Sequence, residues 1–417
     1  MRPTCVVGLG FGDEGKGATV DWLCSVGGLS GQGVSAVVRY NGGGQAAHNV
    51  VAGGVHHTFR QLGSGSMSGV PTYLSQHHRL DVEQVTAEAR QLERKGFDGV
   101  LSRVSVHPDA LLVTPVHEAA NRAREQARGE GRHGSTGLGI GETTFYAAAV
   151  ERRLRAGESY GNTGAPADAV GLAPRASDLR DRSRLTERMD ELVQFYEPLG
   201  IDVPSVAEMV DVLIEHGDEV QIGDDLARYL AAGEVVFEGA QGALLDEHAG
   251  FHPYTTWSSP LPSVVTDLVG TRPYVIGVTR TIHTRHGAGP FPSEDTTLDI
   301  TGDHNGTGEW QGHFRFGALD LGMLRYGLSL VEPDALSVTW ADLDLGVVDS
   351  GDVPVVGADD LDAREELSRE LHARRPHPLR GSAMEHIAAL GRPILVSADG
   401  PDRERRVRCA APASTRG

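Results

Sequence analysis

The apolar run Thr4-Cys5-Val6-Val7-Gly8-Leu9 breaks into Gly10-Phe11-Gly12-Asp13-Glu14-Gly15-Lys16-Gly17 and resumes as Ala18-Thr19-Val20-Asp21-Trp22-Leu23. A buried strand, a glycine-rich turn and a helix in that order restrict the chain to α/β architectures. A turn of this kind suits a phosphate, because backbone N–H groups and the helix N-terminus face it and one lysine adds charge. Yet it departs from the usual GxxxxGK[ST] loop. Gly17 follows Lys16, so no hydroxyl stands there for a metal, and Asp13 and Glu14 sit where phosphate would approach. Asp13 therefore needs a chemical reason.

The rest of the chain repeats the alternation. The strand ending at Val6–Gly8 and the helix Gly17–Ser25 are followed by a short strand over 34–40 that runs into Asn41-Gly42-Gly43-Gly44. Helical periodicity occupies about 82–95, 116–128, 142–156, 177–196 and 205–217. Residues 234–242 are again strand then glycine turn, and 273–282 and 334–340 are β-rich. The pattern predicts an α/β fold with a mostly parallel central β-sheet flanked by helices, one large unit over 1–417. Ligands of such sheets collect past the strand C-terminal ends, where the glycine-rich segments 10–17, 41–44 and 239–242 all fall. The long polar segment 283–316 reads as a substrate loop. Residues 350–362 read as a connector to a C-terminal helix–strand unit, 363–417.

Composition narrows the function classes. A net charge of −19 argues against a general nucleic-acid binder, which needs a basic surface. Three cysteines imply no disulfide framework. The N-terminus lacks a signal-peptide apolar core, and no apolar stretch approaches the ~20 residues of a membrane helix. These points lead to the expectation of a cytoplasmic protein with no membrane partner.

The segments GFGDEGKG, RYNGGGQAAHN, STGLGIG, FEGAQGALLD, HPYTT, TRHGAGPFPSE and GALDLGMLRYG occur in this order over nearly the whole chain. The sequence resembles the adenylosuccinate synthetase family on these motifs. The resemblance implies a fold related to the P-loop NTPases and a GTP- and Mg2+-dependent ligase. That family phosphorylates the 6-oxygen of IMP and lets the amine of aspartate displace the phosphate. It works as a homodimer in which each subunit lends an arginine to the other. Asp13 would take the N1 proton of the purine and also ligate magnesium, with Lys16 neutralising the transferred phosphoryl group. The glycine matching Gly43 supplies a second magnesium ligand through its carbonyl. Gln241 would complete the catalytic set near the purine 6-position.

Carried over residue by residue, the resemblance implies nucleotide contacts from Gly12, Glu14, Gly15, Lys16 and Gly17, from Gly43, Gly44 and Gln45, and from Arg315, Trp340, Asp342 and Gly400. GTP is the expected phosphoryl donor, with ATP the alternative. The IMP site would draw on Asp13, Asn41, Gly42, Thr136, Gln241 and Thr256. Arg152 or Arg153 would be the arginine lent to the partner subunit.

Three departures matter. The family's catalytic histidine, in GGHNAGH, is replaced by Gly44, and help of its kind is worth ~10²–10⁴ in rate. The lysine that packs on guanine in TKxD is replaced by Trp340, whose indole can stack on a purine. The aspartate-binding loop GxTTGRxRRxG is rewritten as Gly308-Glu309-Trp310-Gln311-Gly312-His313-Phe314-Arg315-Phe316-Gly317. Directional arginine–carboxylate pairing is lost there, and Glu309 would repel a dianion. The expectation is an amine donor other than aspartate, such as an amino sugar. The alternatives are an ordinary aspartate-using enzyme, or a nucleotide-binding regulator without catalysis.

Overall fold

The computed structural model describes residues 2–129, 134–156, 173–298, 300 and 312–409, with the side chains of 151–156 outside that description. Ten strands form the main sheet. From one edge they are Arg406–Arg408, Ile394–Ala398, Ala335–Thr339, Tyr274–Arg280, Thr4–Gly8, Glu234–Gly242, Val34–Arg39, Thr72–Leu74, Val104–Val106 and Gln221–Ile222. Every neighbouring pair is parallel except the edge pair Ile394–Ala398 and Arg406–Arg408.

The central strands read TCVVG, EVVFEGAQG and YVIGVTR and are buried almost without interruption. Continuous apolar runs of this kind belong to parallel strands covered on both faces. Val6 stands opposite Glu238 on one side and Ile276 on the other. With all these strands running the same way, their C-terminal ends share one edge. The loops after Gly8, Arg39, Gly242 and Thr339 therefore meet there.

The first turn needs its glycines. Gly15 caps the helix Lys16–Ser25 at φ 94°, and a Cβ on it would stand 3.0 Å from the Thr339 methyl. That helix is buried over nearly its whole length, so it carries Lys16 into the interior rather than along the surface.

The helices Val82–Arg94, Pro115–Arg128, Ile140–Ala156 and Val206–Gly217 fall where periodicity placed them. The segment 177–196 is instead a 3-10 turn, Ala176–Arg180, followed by a helix Arg182–Tyr196. Asp181 divides them because its carboxylate accepts from Arg184 N at 3.1 Å and caps the second piece. The segment 283–316 is not loop throughout. Its ends belong to the antiparallel strands Ile282–His286 and Phe314–Asp320, which pair His286 with Phe314 and Arg285 with Arg315. The connector ends at Asp360, whose side chain caps the helix Leu361–Ala373. Beyond it, Ile394–Ala398 adds to Ala335–Thr339 and extends the same sheet.

Candidate active site

Four non-glycine residues among those described have positive φ: Asp13 at 62°, Gln241 at 61°, Trp340 at 56° and Glu332 at 47°. The first three line one cavity of about 1460 Å³ at the C-terminal edge of the sheet. Left-handed backbone costs a non-glycine residue ~1–3 kcal/mol and persists where surrounding structure enforces it, as it commonly does at functional sites.

The two acids of the first loop part company. Glu14 folds inward, and its Oε1 accepts from Gly10 N at 3.1 Å and Gly12 N at 2.7 Å. Its Oε2 takes a hydrogen bond from the buried Lys16 ammonium at 3.1 Å. Asp13 faces the cavity, with its side chain 30% exposed. The loop packs backbone to backbone on the Gln241 turn. A Cβ on Gly242 would lie 2.6 Å from Gly12 N, and Leu244 N donates to Gly10 O at 3.0 Å. This contact fixes Asp13 relative to Gln241.

Gly12, Gly15, Lys16 and Gly17 line the cavity with Asp13 and Gln241. Gln45, Thr136 and Thr256 line it as well, and so do Trp340, Asp342 and Gly400. Trp340 and Gly400 are brought to one side because Ala341 N donates to Ala398 O at 2.9 Å.

Other expected residues stand behind this wall. Asn41 accepts from Ala240 N at 2.8 Å and donates to Ala240 O at 3.2 Å, so it braces the Gln241 turn. The Gly42 carbonyl accepts from Arg79 N, and the Gly43 carbonyl from Ala46 N at 3.2 Å. A Cβ on Gly44 would run into the Gln84 side chain, away from the cavity. Arg315 is also committed elsewhere. Its guanidinium pairs with Glu294 at 2.8 and 2.5 Å and donates to the carbonyls of Gly287 and Gly289. His313 precedes the strand Phe314–Asp320 and is not among the lining residues. Glu309, Trp310 and Gln311 lie outside the described residues, as do the side chains of Arg152 and Arg153 on the helix Ile140–Ala156.

Several cavity residues were not assigned to the site by the sequence reading, although His48 matches the second histidine of the family's glycine-rich turn. His48 donates through Nδ1 to Glu238 at 2.6 Å, and Glu238 also accepts from Ser64 N at 2.9 Å. Burial pushes the His48 imidazole below its ordinary value against the pull of Glu238. Burial opposes ionisation of Glu238, but His48, Arg39 and Ser64 together outweigh it and hold the carboxyl at about 2. Arg280 lies over the Trp340 ring at 4.3 Å, and Arg285 over Phe11 at 4.3 Å. Burial lowers Arg285 to about 9. His286 places Nε2 3.4 Å from Asp13 Oδ2. The histidines of the segment TRTIHTRHGAGPFP were visible in the sequence, but their pairing with Asp13 depends on the hairpin that follows the strand Tyr274–Arg280.

The donor set suits a hard cation held mainly by phosphate. Among the described residues no group of three or more His, Cys, Asp and Glu converges as a metal cage. Asp13 offers one carboxylate inside the cavity, as Mg2+ commonly uses alongside substrate phosphates and waters. The Gly43 carbonyl, the other expected ligand, is engaged by Ala46.

A family model described as adenylosuccinate synthetase matches residues 5–350. The adenylosuccinate synthetase of Herminiimonas arsenicoxydans is 30% identical over 449 residues, covering 96% of this chain and 97% of that protein. That of Paraburkholderia phytofirmans is 34% identical over 309 residues, 70% of this chain but 62% of the relative's length. Among solved structures, the fully ligated adenylosuccinate synthetase of Plasmodium falciparum superposes with a TM-score of 0.77 at 20% identity, covering 98% of this chain and 100% of that one. The cyanophage S-2L succinoaminodeoxyadenylate synthetase, bound to dGMP and to dATP as energy donor, gives 0.59 at 17% identity over 98% and 95%. At these identities the two structures establish a shared fold.

Proposed function

Because the chain belongs to the adenylosuccinate synthetase family, we propose that it is a GTP-driven ligase that activates the 6-oxygen of IMP or a close analogue and forms a carbon–nitrogen bond there. The observation that carries this reading is the convergence of Asp13, Lys16 and Gln241 on one cavity, with Asp13 and Gln241 both held at positive φ.

In this reading the Asp13 carboxylate removes the N1 proton, and the resulting charge moves onto the 6-oxygen. That oxygen attacks the γ-phosphorus, and the bond to the β-bridging oxygen breaks to release GDP. An amine then attacks carbon 6, loses a proton, and expels the former 6-oxygen as phosphate. Lys16 leaves Glu14 and turns to the phosphates, and the amides that Glu14 now occupies become donors to them. Such preorganised donors are the main catalytic resource in phosphoryl transfer. A magnesium ion held by Asp13 and the GTP oxygens would supply charge neutralisation.

The donor in this reading is an amine other than aspartate. Supporting it is the pairing of Arg315, the arginine surviving from the aspartate-binding loop, with Glu294. A carboxylate donor would have to displace that partner. The cyanophage neighbour takes dGMP and dATP, so this fold accommodates a different purine and energy donor. The protein is a homodimer in this reading, with Arg152 or Arg153 reaching the partner subunit.

The test is incubation with IMP, GTP and Mg2+ and a panel of amines that includes aspartate, with products read by mass spectrometry. An N6-substituted product from a neutral or cationic amine supports the reading. Rapid adenylosuccinate formation would overturn the donor assignment, and no product from any amine would overturn the ligase assignment. Replacing GTP with ATP in the same assay identifies the energy donor.

A further inference from the structure

We propose that Arg280 binds the phosphate chain of the nucleoside triphosphate, as a fixed cation stacked on Trp340; this rests on the GTP-driven reading above. Arg280 ends the strand Tyr274–Arg280, where it stands opposite Thr339. Thr339 is tied to the first loop. Its hydroxyl donates to Glu14 O at 2.7 Å, and its methyl lies beside Gly15. Trp340 follows it in the chain, and the Arg280 guanidinium lies over that indole at 4.3 Å. The strand pairing thus lays a cation between the loop that would hold phosphates and the ring expected against the base.

Arg280 is 8% exposed, yet it lines the cavity. Its hydrogen-bonding capacity is mostly unspent. Nη1 donates to Thr284 Oγ1 at 3.0 Å, and Nε is shielded from solvent with no partner among the described residues. Burial pulls the guanidinium below the ordinary arginine value, and the charges of Asp13 and Glu14 oppose that pull. Both acids are engaged with other groups. Glu14 holds Lys16 and two loop amides, and Asp13 Oδ2 lies 3.4 Å from His286 Nε2. A buried cation without a paired carboxylate is costly to keep. Together with the orphaned Nε it marks a group held for an anion that arrives with the ligand.

Other arginines of the cavity are committed. Arg285 donates to the carbonyls of Ala288 and Pro290, and Arg364 to those of Glu247 and Gly250. Arg124 faces Glu142 at 3.0 Å, and Arg406 donates to the carbonyls of Pro401 and Asp402. Arg280 is left with a planar fork that matches phosphate oxygens two at a time. The indole beneath it favours the charge and fixes the plane of the fork. It therefore adds to Lys16 and the loop amides a cation that is in place before the nucleotide enters.

The test is calorimetric titration of Arg280→Met with GTP and Mg2+, with guanosine, which carries no phosphate, and with IMP. GTP should bind about 10- to 100-fold more weakly, the worth of charge-assisted hydrogen bonds, while guanosine and IMP stay within about threefold. The ligand-free melting temperature should hold or rise, because an unpaired buried charge has been removed. Arg280→Lys, which keeps the charge without the fork, should recover part of the GTP affinity. Unchanged GTP affinity in Arg280→Met would overturn the inference and leave the ligase reading standing. Equal losses for GTP and guanosine would overturn it by making Arg280 a support for Trp340, and a loss confined to IMP would assign the cation to the other nucleotide. A variant that fails to fold would make the cation structural and overturn it as well. Positional isotope exchange in wild-type protein tests the ligase reading separately. GTP labelled with 18O at the β,γ-bridge, with IMP and Mg2+ and no amine, should scramble the label into the β non-bridging positions, and absence of scrambling would overturn that reading.

Discussion

The side-chain oxygen of Gln84 fills the point into which a Cβ on Gly44 would project, and the Gln61 amide nitrogen stands 3.1 Å from that point. Gln61 in turn donates to Gln84 and pairs with His78 at 2.7 Å, so the space is closed by a connected polar group. Restoring the family residue by Gly44→His should therefore overpack the site and cost about 1–3 kcal/mol in urea denaturation. It should bring no gain in phosphoryl transfer. A variant as stable as the parent and faster in isotope exchange would show that the 41–45 turn can still deliver a histidine to the cavity.

Glu14 satisfies two loop amides and Lys16. Glu14→Ala leaves those donors and a buried ammonium without partners, so the melting temperature should fall by several degrees. GTP should then stabilise the variant more than it stabilises the parent, because phosphate oxygens replace the missing carboxylate. Equal thermal shifts on adding GTP would argue that Glu14 does not hold the nucleotide's place.

Trp340, under Arg280 and beside Gly400, is the expected wall of the base site. Removing one stacking ring costs about 1–3 kcal/mol. Trp340→Ala should therefore weaken GTP binding roughly 5- to 150-fold by calorimetry while the rate at saturation changes less. Unchanged affinity would place the base elsewhere in the cavity.

Burial holds the Asp81 carboxyl up at about 6, although it accepts from Gln84 N at 2.9 Å and caps the helix Val82–Arg94. The folded state thus binds this proton more tightly than the unfolded chain does. The resulting stabilisation is present below the ordinary carboxylate value and is lost as pH rises through about 6. Asp81→Asn keeps a capping oxygen without the charge. Its stability relative to the parent should rise between pH 4 and pH 8 by on the order of 1 kcal/mol or more in urea denaturation. A constant difference across that range would contradict the assignment.

The sheet and its ligand edge were legible because parallel buried strands leave continuous apolar runs and their loops leave glycine clusters. Asp13, Lys16, Gln241 and Trp340 follow from those clusters and from the family motifs, and all line the cavity. Asn41 and Gly43 carry the same motif, but the Asn41 side-chain amide and the Gly43 carbonyl are spent on bracing neighbouring turns, which sequence adjacency cannot reveal. Arg315 was expected as a nucleotide contact on the donor loop, but the fold sets it against Glu294, 21 residues away in the chain. His286 was equally hard to see, since a histidine in a glycine-rich segment gains meaning only when a hairpin lays it against Asp13.

The central claim is that Asp13 makes the purine oxygen a nucleophile toward phosphate. IMP labelled with 18O at the 6-position, given with GTP, Mg2+ and hydroxylamine as a small neutral amine, tests it through the mass of the released phosphate. The wild-type protein should pass the label into phosphate, and Asp13→Asn should bind both nucleotides and pass none. Unlabelled phosphate from wild-type protein that turns IMP into an N6-substituted product would contradict the account.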